Sequence, residues 1–428
     1  MTAVGPPVRD AGAGVPDVFD PRIYASGIPH ASFARLREEH PVAWQPEHPV
    51  LDWPAGPGFW AVTRHADAVR VLRSSGDFSS YLGATQIRDP DPADLPFIRR
   101  MMLNQDPPRH GRLRTLVSRA FTPRRVERFE AAVRERARQL LGAARAEGSE
   151  VDLVRAVTDE YALLNLADLL GVPPGDRGLL LEWTERIIGY QDPEQAVVVR
   201  GPDGRPADPR SPAMLEEMFA YARELAAHKR EHPADDVMTA LARELAGPGL
   251  EPELEMFFFL LTVAGNDTVR SAAPGGFLAL AGHPDAQREL RERAPREPRF
   301  LARAVEELLR WHPPVLSFRR TAARDTEVAG RRIAEGDKVV VFHASANFDE
   351  RVFAAPQRLD LARDPNPHIA FGEGPHVCLG AHFARLQLRV LHEEALRILP
   401  PYEQAGPERR LVSNFINGLH AVPVRFRT

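Results

Sequence analysis

The stretch Phe371-Gly-Glu-Gly-Pro-His-Val-Cys378-Leu-Gly380 contains the only cysteine of the 428-residue chain. A lone cysteine is most often a small buried hydrophobe. Here Gly372, Gly374 and Gly380 supply backbone that tolerates left-handed or crowded conformations, and Pro375 stiffens the loop between them. The segment that follows, Ala381–His392, has helix-forming composition and an apolar stripe. The thiol therefore stands on a glycine-rich turn just before a helix N-terminus. Backbone N–H groups and the positive end of the helix favour thiolate over thiol at such a place. Cys378 reads as an anionic sulfur and a ligand candidate.

Upstream of this loop, helix dominates. Pro252–Ala281 reads as one long helix, apolar nearly all round near Phe257–Leu261, as expected of a helix through a large core. In its middle, Ala264-Gly-Asn-Asp-Thr268 is poor helix sequence. Glycine costs ~1 kcal/mol against alanine, and Asn, Asp and Thr compete for backbone hydrogen bonds. Two readings stay open. One is a locally opened turn, with Ala264 and Gly265 admitting a flat ligand or oxygen and Asp267 and Thr268 relaying protons. The other is a kink with satisfied polar groups.

Glu307-Leu-Leu-Arg310 has the spacing of a routine surface ion pair. Its sequel Trp311-His-Pro-Pro314 ends the helix abruptly and leads to Phe318-Arg-Arg320, which points to a buried structural lock. In Asp106-Pro-Pro-Arg-His110-Gly-Arg-Leu-Arg114, His110 and Arg114 share one helical face. Together they suit a carboxylate; alternatively they belong to a basic surface turn.

Elsewhere Phe59–Thr63 reads as a strand and Ala66–Ser74 as a helix, with an irregular loop at 77–103 lying over a pocket. Helical periodicity runs from Arg109 to Ala144, broken at Phe121-Thr-Pro123, where Thr122 and Pro123 suit an N-cap and first helical position. Two helices fill 151–190, and 191–212 reads as a flexible lid. Further helices are expected at Pro212–Lys229, Asp235–Leu245, 284–293 and 298–311, with strand alternation at 325–345. Residues 1–20 read as a mobile tail and 21–428 as a single domain, mainly α with a small β region. With 55 basic against 59 acidic residues the net charge is −4, which gives nucleic acid and anionic membranes no basic surface to bind. One cysteine excludes an internal disulfide and suits a reducing cytosol. No apolar run approaches the ~18–20 residues of a membrane span, and no leader is evident, so a cytoplasmic protein is expected.

Taken in order, the His110-to-Arg114 helix start, Ala264-Gly-Asn-Asp-Thr268, Glu307-to-Arg310 and the cysteine loop resemble the cytochrome P-450 superfamily, specifically its soluble bacterial members. The resemblance runs from about residue 20 to the C-terminus. Each motif is weak alone; the ordered set is specific. It implies a triangular helical prism with haem b between a long central helix and the cysteine loop. Cys378 would be the proximal thiolate ligand of the iron, with Phe371 packed beside the sulfur and Gly372 and Gly380 framing it. His110, Arg114, Arg320 and His376 would hold the propionates, Asp267 and Thr268 would deliver protons during dioxygen activation, and Glu307 and Arg310 would form the lock together with the segments Asp349–Phe353 and Pro365–His368.

By position relative to these motifs, Met101, Met102, Leu261, Ala264, Leu316 and Phe415 would line the substrate pocket. The implied activity is a haem-thiolate monooxygenase that inserts one atom of dioxygen into a C–H bond of a hydrophobic terpenoid, steroid, fatty acyl or polyketide substrate. Ala264–Ser271, Ser345–Asp349, Asp360–Arg363 and Ser413–Gly418 look like pieces of bacterial hydroxylases of sterol side chains, branched lipids and terpenoids. No G-x-G-x-x-G segment follows a strand, so flavin and NAD sites are not expected. A separate ferredoxin-type donor would serve a monomer, docking on Arg109, Arg112, Arg114, Arg119, Arg124 and Arg125. Rival readings are a peroxide-dependent haem enzyme, against which Asp267 and Thr268 count, and a non-catalytic haem carrier or sensor. The chain departs from the pattern with Phe348, where arginine is commoner, and Pro274, where a bend is expected.

Overall fold

A 32-residue helix, Glu251–Gly282, organises the molecule, and most of its surface is buried. The computed structural model describes residues 14–196, 200, 207–247 and 250–427. Among them are twelve helices of eight or more residues: α1 (His30–Glu39), α2 (His65–Arg73), α3 (Arg109–Ser118), α4 (Glu130–Glu147), α5 (Asp159–Leu170), α6 (Arg177–Ile188), α7 (Pro212–Glu231), α8 (Val237–Glu244), α9 (Glu251–Gly282), α10 (Pro284–Arg293), α11 (Pro298–Trp311) and α12 (Ala381–Ile398). Helices α5, α6, α7, α11 and α12 pack on α9, which explains a sequence apolar nearly all round. No helix among the described residues is long and apolar enough to cross a membrane.

Helix α9 does not open at Ala264–Thr268; it is continuous to Gly282 and runs on through Pro274. Beyond the proline, Gly275 and Gly276 allow close approach of two histidines. A Cβ at Gly275 would stand 2.1 Å from His312 Cδ2, and one at Gly276 2.7 Å from His392 Nε2.

The largest sheet among the described residues has five strands, β1 (Val42–Glu47), β2 (Gly56–Val62), β3 (Phe78–Ser79), β4 (Ser317–Ala322) and β5 (Lys338–Phe342), in the order β1-β2-β5-β4-β3; three smaller sheets of two or three strands accompany it. Strands β2 and β5 run parallel and the other pairs antiparallel. Register places Phe318 opposite Val341 and Arg320 opposite Val339, so Phe318 and Arg320 share a face.

Part of the expected tail is packed. Val18 N–H donates to Gln45 Oε1 (3.0 Å), and Asn414 Nδ2 donates to the Phe19 carbonyl (2.6 Å). Residues 1–13 of that tail lie outside the described residues, as do 197–199 and 201–206 of the expected lid. At the lid's far end, Asp208 accepts from Arg210 (2.8 Å) and from Arg88 (3.2 Å). Arg88 also lies 3.5 Å over the Trp53 ring, joining the end of the lid to the N-terminal region.

Candidate active site

The cysteine loop is held by its own backbone. Cys378 N–H donates to the Phe371 carbonyl (2.8 Å) and Val377 N–H to that of Gly374 (3.1 Å). Gly372 and Gly374 have φ of 73° and 72°, a region that side chains disfavour. At Gly374 a Cβ would also stand 2.8 Å from the Leu72 carbonyl oxygen. Gly380 differs: with φ −84° at the N-cap of α12 it needs no special backbone, and its missing side chain leaves open space.

Cys378 is enclosed by protein, yet its surface opens onto an internal cavity. Burial pushes its thiol above the ordinary value, while the Gly380 N–H and the charges of Arg114 and Arg385 pull the other way. The helix N-terminus therefore does not by itself yield a thiolate, because desolvation of the anion outweighs it. A metal cation at the sulfur would release the proton.

The cavity encloses ≈ 1490 Å³ of atom-free space, part of it continuous with solvent. Helix α9 contributes Leu261, Ala264, Gly265 and Thr268 to its wall, and the cysteine loop contributes Phe371, Gly372, His376, Cys378 and Gly380. Of the expected pocket residues, Met102, Leu261 and Ala264 line it; Met101, Leu316 and Phe415 do not. Met101 and Leu316 are buried in the core, and Phe415 packs edge-on against Phe318 with ring centroids 5.6 Å apart. Val315 and Phe318 line the cavity instead. In extended chain a one-residue offset changes the face. Gly265 has a packing role, since a Cβ there would stand 2.6 Å from Leu166 Cδ1 on α5.

Thr268 Oγ1 donates to the Ala264 carbonyl (2.8 Å) one turn back along the continuous helix. Asp267 is buried with Oδ2 unpartnered. Burial raises this acid to about 7, against the pull of Arg270. Arg270 itself is turned to other helices, donating to Asp159 Oδ1 (2.6 Å) and pairing with Glu185 (3.1 Å).

His110, Arg114, Arg320 and His376 also line the cavity. The His110 and His376 rings lie 4.0 Å apart. Both imidazoles are held below their usual range, His110 by burial and then Arg114, His376 by burial and then Arg320. Burial lowers Arg320 to about 10, and its Nη1 donates only to the Arg319 carbonyl (2.8 Å). Arg114 has no hydrogen-bond or ion-pair partner among the described residues. Asp106 is the acid that acts on His110 and Arg320, but its carboxylate is taken by the Ser79 hydroxyl and the Ser80 N–H (2.8 Å). Two under-partnered arginines on a cavity wall favour an anion there. His343, which was not anticipated, lines the same cavity with both ring nitrogens unpartnered. Nothing local in Val-Val-Val-Phe-His343 marks it.

Beneath the loop, Glu307 and Arg310 are fully buried and paired, with Arg310 Nε 2.7 Å from Glu307 Oε2 and Nη2 2.8 Å from Oε1. The same carboxylate accepts from the Asp360 N–H (3.0 Å), Arg363 Nε (3.1 Å) and Asn366 Nδ2 (3.2 Å). Arg363 was not expected in the lock. Glu306 next door pairs with Arg385 (2.6 Å) and with His368 (3.1 Å), and Arg385 lies 4.3 Å over the Phe371 ring. Phe348 packs on His30 (4.2 Å) and near Arg310 (4.8 Å), which shields the pair. Of the six arginines expected at a docking surface, Arg109 pairs with Glu253 (3.3 Å), Arg119 with Glu244 (3.5 Å), and Arg114 faces the cavity.

Fold and cavity together place one cysteine, two arginines and three histidines on the wall of a largely apolar space enclosed by helices. The cytochrome P-450 family model matches residues 223–399. Steroid C26-monooxygenase of Rhodococcus jostii is 37% identical over 420 residues, covering 96% of this chain and 85% of the relative. Methyl-branched lipid omega-hydroxylase of Mycobacterium tuberculosis is 39% identical over 399 residues, covering 92% and 90%. A Mycobacterium marinum cytochrome P-450 solved with pseudoionone superposes with a TM-score of 0.84 at 38% identity, covering 99% of this chain and all of that one. The chain belongs to the cytochrome P-450 family, as a monooxygenase that uses haem b and dioxygen on hydrophobic substrates.

Proposed function

We propose that residues 21–428 form one haem domain, cytoplasmic and monomeric, that hydroxylates a terminal methyl group on a steroid, terpenoid or methyl-branched acyl skeleton. The observation that carries this reading is the convergence of the lone cysteine, four partner-poor donors and Thr268 on one largely apolar cavity, with the buried Asp267 next to Thr268 in the chain. The relatives' names, which specify steroid C26 and the omega position of a methyl-branched lipid, support the choice of a chain end. Cys378 Sγ would hold the iron. His110, Arg114, Arg320 and His376 would hold the two carboxylates. When bound, haem supplies the activation of dioxygen and the transfer of one oxygen atom to carbon.

The chain supplies position and protons. Leu261, Ala264, Val315 and Phe318 would exclude water and orient the apolar substrate. Thr268 Oγ1, held by the Ala264 carbonyl, would present a hydroxyl at the cavity wall, and Asp267 would re-supply its proton. Electrons would come from a separate ferredoxin, with the exposed Arg112 and Arg124 as the remaining part of a basic docking surface.

Cys378→Ser should lose the thiolate signature in the reduced carbon-monoxide spectrum; its persistence would mean that another residue holds the iron. Steroids, terpenoids and acyl chains ending in a methyl branch should displace water and shift the haem spectrum. Skeletons lacking such an end should shift it less, and a reversed order refutes the substrate class. Peroxide alone matching turnover with ferredoxin would overturn the electron-donor assignment.

A further inference from the structure

Arg270 lies three residues after Asp267 on α9, a spacing at which an acid and an arginine ordinarily pair. Here they do not. Arg270 Nε donates to Asp159 Oδ1 (2.6 Å) and Nη2 to Asp159 Oδ2 (3.3 Å), and Nη1 lies 3.1 Å from Glu185 Oε1. Asp159 is on α5 and Glu185 on α6, so the guanidinium ties three helices together while the acid beside it keeps Oδ2 unpartnered. The charged groups that act on Asp267 are Arg270 on its own helix, Glu185 and Asp159. One cation thus faces three carboxylates, and the two nearer solvent, with side chains 30% and 38% exposed, have it.

We infer that Asp159 and Glu185 are positioning residues that hold the Arg270 guanidinium off Asp267, leaving that buried acid free to take up and release a proton. A bidentate Arg270–Asp267 pair would fix the carboxylate as an anion and end its use as a donor. Asn266, with both side-chain polar atoms buried and unpartnered, and Thr262, with its hydroxyl in the same state, stand at i and i+4 on the same helix. Buried polar atoms of this kind are commonly satisfied by ordered water, which would connect Asp267 to the two acids at the surface. Burial raises Asp267 to about 7 against the pull of Arg270, and Glu185 and Asp159 add to the rise.

This rests on the proton role given to Asp267, and the experiment separates the two. Product formed per electron is followed against pH in the holoenzyme with its electron donor. Loss above neutral pH should report Asp267 deprotonation, and Asp267→Asn should remove that limb. In Asp159→Asn/Glu185→Gln the freed arginine turns to Asp267, and the limb should move to lower pH by about one unit. In Arg270→Gln the acids remain without the cation, and the limb should move to higher pH. Haem content and the substrate-induced spectral shift establish that each variant is folded; Glu185→Gln alone is the milder form and should move the limb in the same direction as the double variant. A purely structural clamp moves both variants the same way or not at all, and either result overturns the inference. A limb that survives in Asp267→Asn overturns the proton role itself.

Discussion

Glu307 on α11 and Asp267 on α9 are both buried acids, and the molecule treats them in opposite ways. Each oxygen of Glu307 is bonded, to Arg310, Arg363, Asn366 and the Asp360 N–H. Asp267 has an oxygen with no partner, and the nearest arginine is committed elsewhere. A saturated buried carboxylate is a fixed structural joint, since taking away any partner leaves uncompensated charge. An unsaturated one is poor architecture and good chemistry, because either protonation state is accessible. Glu307 ties α11 to the segment 360–366, whereas Asp267 keeps an unbonded oxygen next to the cavity-lining Thr268.

The comparison breaks most visibly at Glu307. Glu307→Gln should cost about 3–5 kcal/mol in urea unfolding and release haem, whereas Asp267→Asn should stay within about 1 kcal/mol of the parent because no pair is broken. Equal losses at the two sites would erase the distinction. Next, Thr268→Ala should keep haem and the substrate-induced shift but lower product formation about 100-fold, with electrons appearing as peroxide. Unchanged coupling would remove the hydroxyl from the proton path. The smallest effect is expected at the cation cluster: Arg114→Gln should speed haem loss to an acceptor globin about 10-fold, the equivalent of one charge-assisted hydrogen bond. Unaltered loss would place the carboxylates elsewhere.

Much of the helical frame was legible because long periodic segments carry their own boundaries. Helix α9 was anticipated within one residue at each end, and α10 and α11 at 284–293 and 298–311. Strands of two to four residues such as Tyr402–Gln404 and Pro423–Phe426 were not, since Pro423–Phe426 lies between Tyr402–Gln404 and the distant Glu150–Asp152, a pairing no local pattern marks. Of the two readings left open for the polar middle of α9, the helix does not adopt the opened turn. Gly265 answers to Leu166 across the helix interface, and Thr268 bonds back to Ala264 without breaking the helix.

At the site, ordered motifs were enough to find Cys378, His110, Arg114, Arg320 and His376 on one cavity. What escaped were properties that depend on surroundings. Thiol ionisation is governed by burial, the choice of Val315 over Leu316 by the path of an extended segment, and the orphaned state of His343 by neighbours far along the chain.

The reach of Glu307 has a bearing on biosynthesis. Its partners at 360, 363 and 366 leave the ribosome more than fifty residues after it, and the sulfur at 378 follows them. Closing a loop of that length is entropically cheap, about 0.6 kcal/mol for each doubling, so timing and not distance is the obstacle. Until residues 360–378 have been synthesised the pocket has neither its joint nor the sulfur on its wall, so the cavity is completed only after the central helix and α11 have left the ribosome.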